Sequence, residues 1–285
     1  MMQLERGLYI VPTPIGNLSD ITMRAIEVLS TVDAIAAEDS RQSLRLLRHY
    51  GIDRPLLAYH DHVAEAASSA IAARIDGGEA IALISDAGTP LVSDPGYRLV
   101  RAVQALDLPV IPLPGPCAAI AALSASGLPT DRFLFEGFLP AKSGSRCQKL
   151  QAAASFRGTL IYYEAPHRIV DALADAVKVL GGDREAVLAR ELTKAFETLH
   201  RASLEDMLCW VEADSNQQRG EIVLLIGPSD SSQSSIDDAT RTLLLRLGEE
   251  LPPRRAAALV AEFSGLKARE LYELLLAERS KDDNA

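Results

Sequence analysis

The 285-residue sequence has little cysteine: Cys117, Cys147 and Cys209 lie far apart and form no CxxC pair. That argues against a disulfide scaffold or a structural zinc site and fits a reducing cytosol. The chain also lacks an uninterrupted apolar run of about 18 residues, the length a membrane-spanning helix requires. Its longest candidate, residues 109–128, is broken by Pro112, Pro114, Gly115 and Pro116. Residues 1–10 carry charges and no long apolar run, so no secretory signal is expected. Positive charge is not in excess either, the formal net charge being −10. A protein that coats nucleic acid non-specifically is disfavoured, although an enzyme with a local basic surface is not. Neither the GxGxxG fingerprint nor the lysine-bearing P-loop is present. A nicotinamide-dependent enzyme is disfavoured for the first of these absences.

Apolar material is plentiful. The residues are 48% hydrophobic and 24% charged, enough for two compact domains or one large one. Residues 8–11, 34–37, 56–59, 80–84 and 110–113 read as strands, and residues 22–29, 64–75 and 95–106 as helices. Ser40 is placed to cap another helix, with Leu44, Leu47 and Tyr50 at helical spacing. The alanine-rich helix over 64–75 is stopped by Gly77 and Gly78. Alternation of this kind predicts a mostly parallel sheet with helices on both faces. Pro114, Gly115 and Pro116 punctuate the chain and release it into a helix over 118–126. Residues 133–138, 159–164, 186–190 and 222–226 are β-like, with helical segments separating the last three. The α/β chain therefore divides into an N-terminal α/β domain over 1–116, a C-terminal α/β domain over 117–228 and a small helical domain over 236–280. Serine-rich residues 229–235 read as a flexible linker, and residues 281–285 are expected to fray.

In doubly wound sheets, ligands sit beyond the carboxyl ends of strands. Four loops there are unusual. The first, residues 12–18, is stiffened by Pro12 and Pro14 and turned at Gly16. It suits a ligand without phosphates, or is only a rigid turn. The second runs from Ser85 through Asp86, Ala87, Gly88 and Thr89 to Pro90 and on to Asp94, Pro95 and Gly96. Small residues there let a ligand approach the backbone; Asp86 either accepts hydrogen bonds from a ribose or an amine, or caps its own turn. The third, residues 114–118, delivers a helix N-terminus whose free N–H groups can bind oxygen atoms. The fourth brings Glu164, His167 and Arg168 to one strand end, as functional groups or as a surface ion network.

Together these loops resemble the tetrapyrrole methylase superfamily, the class III S-adenosylmethionine-dependent methyltransferases. The likeness is carried by Pro-Thr-Pro-Ile-Gly-Asn within residues 8–22, by Glu-Asp-Ser-Arg within 36–41 and by Ser-Asp-Ala-Gly-Thr-Pro at 85–90. Further blocks lie at 112–120, 136–142, 163–168 and 190–194. Each block is weak alone, but the ordered set is specific. The resemblance implies two α/β domains with a cofactor cleft between them, joined here by a small C-terminal helical unit. It implies S-adenosyl-L-methionine as cofactor and 2′-O-methylation of a cytidine ribose in small-subunit (16S) ribosomal RNA. The substrate would be that RNA or the assembled small ribosomal subunit, and the enzyme a cytoplasmic homodimer. Position by position, Ile15, Ser85, Asp86, Ala87, Gly88, Thr89, Cys117, Ala118, Glu164 and Leu192 would surround the cofactor. Cys117 has no base partner in sequence, so it is expected to line the site rather than act as a nucleophile. The family pattern has an asparagine where Val63 stands, after His60, Asp61 and His62, and a threonine where Ser40 stands.

Methyl transfer from a sulfonium is an in-line displacement, in which positioning and a general base both lower the barrier. Glu38 and Asp39 end the second predicted strand and are candidates for the base, with Arg41 holding an adjacent phosphate. Alternatively, both acids only anchor Arg41 and the loop. His60 and His62 have no third ligand nearby, so no metal is expected. RNA contact is expected from Arg41, Arg45 and Arg48 on one helix face, from Lys142, Arg146 and Lys149 in or beside a mobile Gly/Ser-containing stretch, and from Arg254, Arg255, Lys267 and Arg269. Residues 256–263 and 266–276 resemble a helix-turn-helix with Gly265 at the turn, or a small docking bundle. The same fold acting on a tetrapyrrole or a protein is one rival reading. Another is a non-catalytic ribosome-binding RNA module, which would have no cofactor affinity.

Overall fold

The structure is a computed structural model that describes residues 4–60, 64–228, 238–264 and 266–282. The chain parts into two compact units, Met1–Pro228 and Ser229–Ala285. Two five-stranded sheets make up the first unit. The first sheet contains β1 (Gly7–Ile10), β2 (Ala34–Ala37), β3 (Leu56–Ala58), β4 (Ala80–Ile84) and β5 (Val110–Pro112), all parallel, in the order β3-β2-β4-β1-β5. Between the strands run α1 (Met23–Thr31), α2 (Ser40–His49), α3 (Ala64–Asp76) and α4 (Tyr97–Gln104).

Successive side chains on a strand face opposite sides of the sheet. Tyr9, Val11, Ile35, Ala82 and Ile84 accordingly pack with Val28 and Leu29 of α1 and Leu47 of α2. Leu8, Ile10, Ala36, Ile81 and Leu83 pack with Ile71 and Ile75 of α3 and with Leu99 and Val103 of α4. Strands covered on both faces need apolar residues throughout, which is why they read as continuous runs. In α1, Thr22 caps the first turn by accepting the Ala25 N–H at 3.1 Å, and Ala25, Val28 and Leu29 form the buried stripe. Truncating a wholly buried leucine such as Leu29 to alanine costs about 2–5 kcal/mol.

Connectivity places the crevice. The chain steps outward from β1 to β2 and β3, then returns to β4 and crosses β1 to reach β5. With right-handed crossovers, that reversal puts α1 and α2 on one face and α3 and α4 on the other. β1 and β4 are neighbours whose exits turn to opposite faces, so a crevice opens beyond their carboxyl ends.

The second sheet has the order β6-β7-β10-β8-β9, from β6 (Phe133–Phe138), β7 (Thr159–Glu164), β8 (Glu185–Arg190), β9 (Thr198–Ser203) and β10 (Ile222–Ile226). Only β6 and β7 pair in parallel; β10 runs antiparallel to β7 and β8, and β9 to β8. Helix α5 (Ala118–Ser126) packs Ala119, Ala122 and Leu123 on one face, against Ile161, Val187 and Val223. The other face is covered by α6 (Ser143–Ala153), α7 (Ile169–Leu180) and α8 (Leu204–Ala213) through Leu150, Leu173 and Met207. Each sheet draws its strands from one side of the turn at Pro114, Gly115 and Pro116.

Three local expectations are corrected. Strand β9 lies between β8 and α8, where only a helix is expected; it is an edge strand, and half-exposed edges carry polar residues that blur the apolar signal. The cap of α2 is Asp39, whose carboxylate accepts the Arg41 N–H at 2.8 Å, and Ser40 is the first helical residue. Lys142, Arg146 and Lys149 belong to or abut the regular helix α6, and Arg146 is 3% exposed and paired with Asp175 at 2.7 Å, so it offers no charge to RNA.

The second unit comprises α9 (Asp238–Glu250), α10 (Pro253–Ser264) and α11 (Ala268–Asp282), packed around Leu244, Ala257, Val260, Leu271 and Leu275. Arg254 stands 5.9 Å from the centre of the Tyr272 ring, and Lys267 and Arg269 pair with Glu270 and Glu273. The linker at 229–235, the turn at Gly265, the Asp61, His62 and Val63 segment and residues 283–285 lie outside the described residues. Among the described residues no helix is long and apolar enough to cross a membrane.

Candidate active site

The loops leaving β1, β4 and β5 interlock at the crevice. Thr13 and Gly88 exchange backbone hydrogen bonds of 2.8 and 3.0 Å. The Thr13 hydroxyl donates to the Ser85 carbonyl at 3.1 Å, and the Thr89 hydroxyl to the Pro116 carbonyl at 2.8 Å. Gly88 has φ +83°, and a Cβ there would lie 3.3 Å from Ile15 Cγ2. Gly115 packs so closely that a Cβ would sit 2.6 Å from Pro12 Cβ. The prolines and glycines of these loops therefore mark close approach between loops.

The second sheet supplies the opposite wall. Tyr163 of β7 accepts the Ala119 N–H from the first turn of α5 at 3.2 Å, and packs edge-on to Phe135 and Phe138. Burial holds its phenol well above the usual range. The segment after β8 reaches back to the first loop: Asn17 donates its N–H to Thr193 Oγ1 at 3.2 Å, and a Cβ on Gly16 would lie 2.5 Å from Lys194 Cγ. Lys194 is held in turn by Glu191 at 2.8 Å and Glu221 at 3.2 Å. Glu191 and Thr193 both take positive φ, of 51° and 65°, to turn Leu192 inward.

Between the walls lies a cavity of about 380 Å³, within the range of small-ligand sites. Its wall is mainly apolar and, among the described residues, carries three carboxylates, Asp94, Glu164 and Glu221, but no lysine, arginine or histidine. Glu164 is fully buried; its Oε1 accepts from Arg168 at 2.6 Å and from the Ala165 N–H at 2.7 Å. Its Oε2 is buried with no partner among the described residues. A buried acceptor left unmatched costs about 1–3 kcal/mol, so a ligand donor there would restore a lost bond. Burial, reinforced by the negative charge of Asp86 and opposed by the Ser85 hydroxyl, pushes the Asp94 carboxyl up to about 6.

Of the residues expected around the cofactor, Ile15, Ala87, Gly88, Thr89, Cys117, Ala118, Glu164 and Leu192 line this cavity. Ser85 and Asp86 do not line it; they brace its loops. The Ser85 hydroxyl donates to the Gly88 carbonyl at 3.2 Å, and Asp86 Oδ1 accepts the Asp39 N–H at 3.1 Å. The Asp86 carboxyl is raised, chiefly by burial. Glu38, Asp39 and Arg41 stand at the neighbouring strand end and not on the cavity wall, with Arg41 exposed. Of the fourth loop, Arg168 is used in the ion pair with Glu164, and His167 is exposed.

Asp94, Phe138 and Glu221 also line the wall; Asp94 and Phe138 fall within the second loop and the 136–142 block, whereas Glu221 has no distinct local signal. Asp94 carries only the mark of an Asp-Pro-Gly turn. Residues 220–223 reach the cavity because β10 is antiparallel: Ile222 stands opposite Glu164 and Arg190, so its amino end meets their carboxyl ends. Among the described residues no group of three His, Cys, Asp or Glu side chains could hold a metal ion.

The profile of the tetrapyrrole (corrin/porphyrin) methylases matches residues 7–208, and that of the RsmI C-terminal HTH domain matches residues 234–279. The chain is 53% identical over 273 residues to the ribosomal RNA small subunit methyltransferase I of Escherichia coli O157:H7, covering 95% of each chain. It is 52% identical over 277 residues to the protein of that name from Pseudomonas aeruginosa, covering 96% of this chain and 98% of the relative. The solved structure of the methyltransferase CobJ shares the fold, with a TM-score of 0.59 at 18% identity over 78% of this chain and 94% of that one. The chain belongs to the tetrapyrrole (corrin/porphyrin) methylase family, among the ribosomal RNA small subunit methyltransferase I proteins.

Proposed function

We propose that this enzyme transfers a methyl group from S-adenosyl-L-methionine to the ribose 2′-hydroxyl of a cytidine in small-subunit ribosomal RNA. The full-length likeness to ribosomal RNA small subunit methyltransferases I supports the reaction class. The observation that carries the cofactor reading is the wall of the cavity, where among the described residues Asp94 is a carboxylate without a paired cation and Glu164 Oε2 is orphaned. A sulfonium cofactor with an ammonium and an adenine amine brings positive charge and donors to such a wall. A phosphate-bearing cofactor would meet repulsion there.

When bound, S-adenosylmethionine supplies a methyl group activated by its positively charged sulfur. Ile15, Ala118 and Leu192 provide apolar contact, Gly88 allows the backbone to approach, and Glu164 Oε2 accepts a hydrogen bond. Ser85 and Asp86 hold the loops in register from behind. Glu38, Asp39 and Arg41 serve the acceptor side: Asp39 caps α2 and so orients Arg41 towards an RNA phosphate, with Arg45 and Arg48 exposed along the same helix. Near-normal single-turnover rates in both Glu38→Gln and Asp39→Asn would leave these acids with positioning alone. The assembly proposed is a cytoplasmic homodimer, which sedimentation would show as twice the 30.7 kDa chain mass.

The test is methyl transfer from radiolabelled S-adenosylmethionine to small ribosomal subunits lacking the modification, with the label mapped. Label on one cytidine ribose is the expected result. Absence of label with cofactor binding intact would move the acceptor elsewhere, and absence of cofactor binding would remove the methyl-transfer reading.

A further inference from the structure

We propose that Lys149 is a positioning residue for the acceptor: it clamps a β-bulge in β6 that turns Phe138 onto the rim of the cavity, and it does so without touching RNA itself. This rests on the reading above that the small ribosomal subunit is the acceptor.

Successive residues of a strand face opposite sides of a sheet, so two residues three apart belong on opposite faces. Leu134 packs on the side of the second sheet covered by α6, α7 and α8, and Phe135 on the side covered by α5. A regular strand would therefore point Phe138 the same way as Leu134. Instead, Phe135 and Phe138 both pack edge-on to Tyr163, with ring centres 4.9 and 5.7 Å away. The strand pairing shows how. Phe135 stands opposite Ile161 and Phe138 opposite Tyr163, so three steps along β6 match two along β7. One extra residue at Glu136 and Gly137 resets the alternation. Gly137 takes φ +63°, a conformation that glycine adopts without steric penalty. Beyond the bulge, Leu139 is buried in the core beneath α6, α7 and α8.

A bulge interrupts the ladder, so its carbonyls need other donors. Lys149 supplies them from α6. Its ammonium donates to the Glu136 carbonyl at 2.5 Å and to the Phe138 carbonyl at 3.3 Å, on either side of Gly137, and pairs with Glu136 Oε2 at 3.3 Å. An ammonium has three donors, and these three acceptors use them. The Lys149 side chain is accordingly only 26% exposed and does not line the cavity. Phe138 does line it and is 52% exposed, whereas Ile15, Gly88 and Ala189 of the same wall are buried. An apolar ring held in water at a cavity rim is surface for an incoming molecule to cover, and unstacked RNA bases settle on such rings. Phe138 thus meets the acceptor, and Lys149 sets its aim.

The experiment uses the full chain and small ribosomal subunits lacking the modification, with binding measured by co-sedimentation. Transfer of radiolabel by the wild-type enzyme tests the methyl-transfer reading by itself, so the two fail separately. Lys149→Met keeps the side-chain length and removes the donors. It is expected to weaken subunit binding roughly tenfold, the scale of one base–aromatic stack, while calorimetric cofactor affinity stays within about twofold and shows that the variant is folded. Lys149→Arg, which again donates to both carbonyls, should restore most of the loss. Phe138→Ala truncates an exposed ring and should weaken subunit binding by as much. Adding Lys149→Met to Phe138→Ala should cost no further affinity, because the lysine acts through the ring. The salt dependence should also be unchanged in Lys149→Met, whereas loss of a lysine that neutralised a phosphate would lower the slope of log affinity against log salt by about 0.7–0.9. Unchanged subunit binding in Lys149→Met, additive losses in the double variant, or a slope lowered by that amount each overturns the positioning role. Unchanged subunit binding in Phe138→Ala overturns the acceptor contact, as does a loss confined to cofactor affinity.

Discussion

Gly88 and Gly51 offer a matched pair of perturbations. Both have positive φ, +83° and +65°, so alanine at either pays the left-handed penalty of about 1–2 kcal/mol. Alanine also restricts the unfolded chain, which returns about 0.4–1 kcal/mol. The net cost should be about 1 kcal/mol at each site. They differ in surroundings. A methyl at Gly51 meets nothing within 4 Å, whereas one at Gly88 lies 3.3 Å from Ile15 Cγ2 and 3.7 Å from the Pro116 carbonyl, on the cavity wall. Gly88→Ala must shift Ile15 or the loop by a few tenths of an ångström and fills space a ligand would use. Urea titration should then show comparable destabilisation in the two variants. Calorimetry with S-adenosylmethionine should show unchanged affinity for Gly51→Ala and a loss of roughly tenfold, about 1.4 kcal/mol, for Gly88→Ala. Equal affinities in the two variants would refute the claim that the cofactor approaches this backbone.

Three further outcomes are expected. Glu164→Gln removes the charge from the orphaned acceptor and should weaken cofactor binding by about 1.5–3 kcal/mol, and an unchanged dissociation constant would take Oε2 out of the site. Arg146→Ala leaves the Asp175 carboxylate, 14% exposed, without its guanidinium and should cost about 3–5 kcal/mol in chemical denaturation. Burial pushes the Asp175 carboxyl up, but the bonds from Arg146 and Ser143 prevail and hold it below the usual range. Stability from this pair is therefore complete above about pH 4 and lost as pH falls through the folded value, so wild type and variant should converge in acid. Deleting residues 236–285 should weaken RNA binding while cofactor affinity persists; undiminished RNA affinity would count against a contact role for the helical unit.

Much of the fold is legible along the chain because its signals are local. The strands of the first sheet are buried on both faces, so each is a short apolar run. The loops after β1, β4 and β5 announce themselves by proline and glycine, and the structure brings Ile15, Gly88, Thr89, Cys117 and Ala118 to one cavity. The edge strand β9 is less visible, since one neighbour leaves half its residues exposed and polar. The choice of Asp39 over Ser40 as the α2 cap turned on one residue of register, which both side chains satisfy equally well on paper.

Other properties depend on pairing between distant segments. Arg146 reads as a surface cation until α7 places Asp175 beside it. Glu38 and Asp39 follow a strand at the sheet edge where the cavity opens, yet β2 lies one strand away from β1, and the cavity wall passes them by. Asp94 becomes a cavity carboxylate only because its loop is bent at Leu91 and Ser93 and pinned across Gly96. Residues 220–223 join the site through the antiparallel run of β10, which no local pattern reports. Periodicity, turn residues and ordered motifs, all properties of neighbouring residues, were enough to establish the α/β class and the family. Which carboxylates face the cavity and which brace it was settled by strand order and register, because contact between residues far apart in the chain depends on how the whole chain packs.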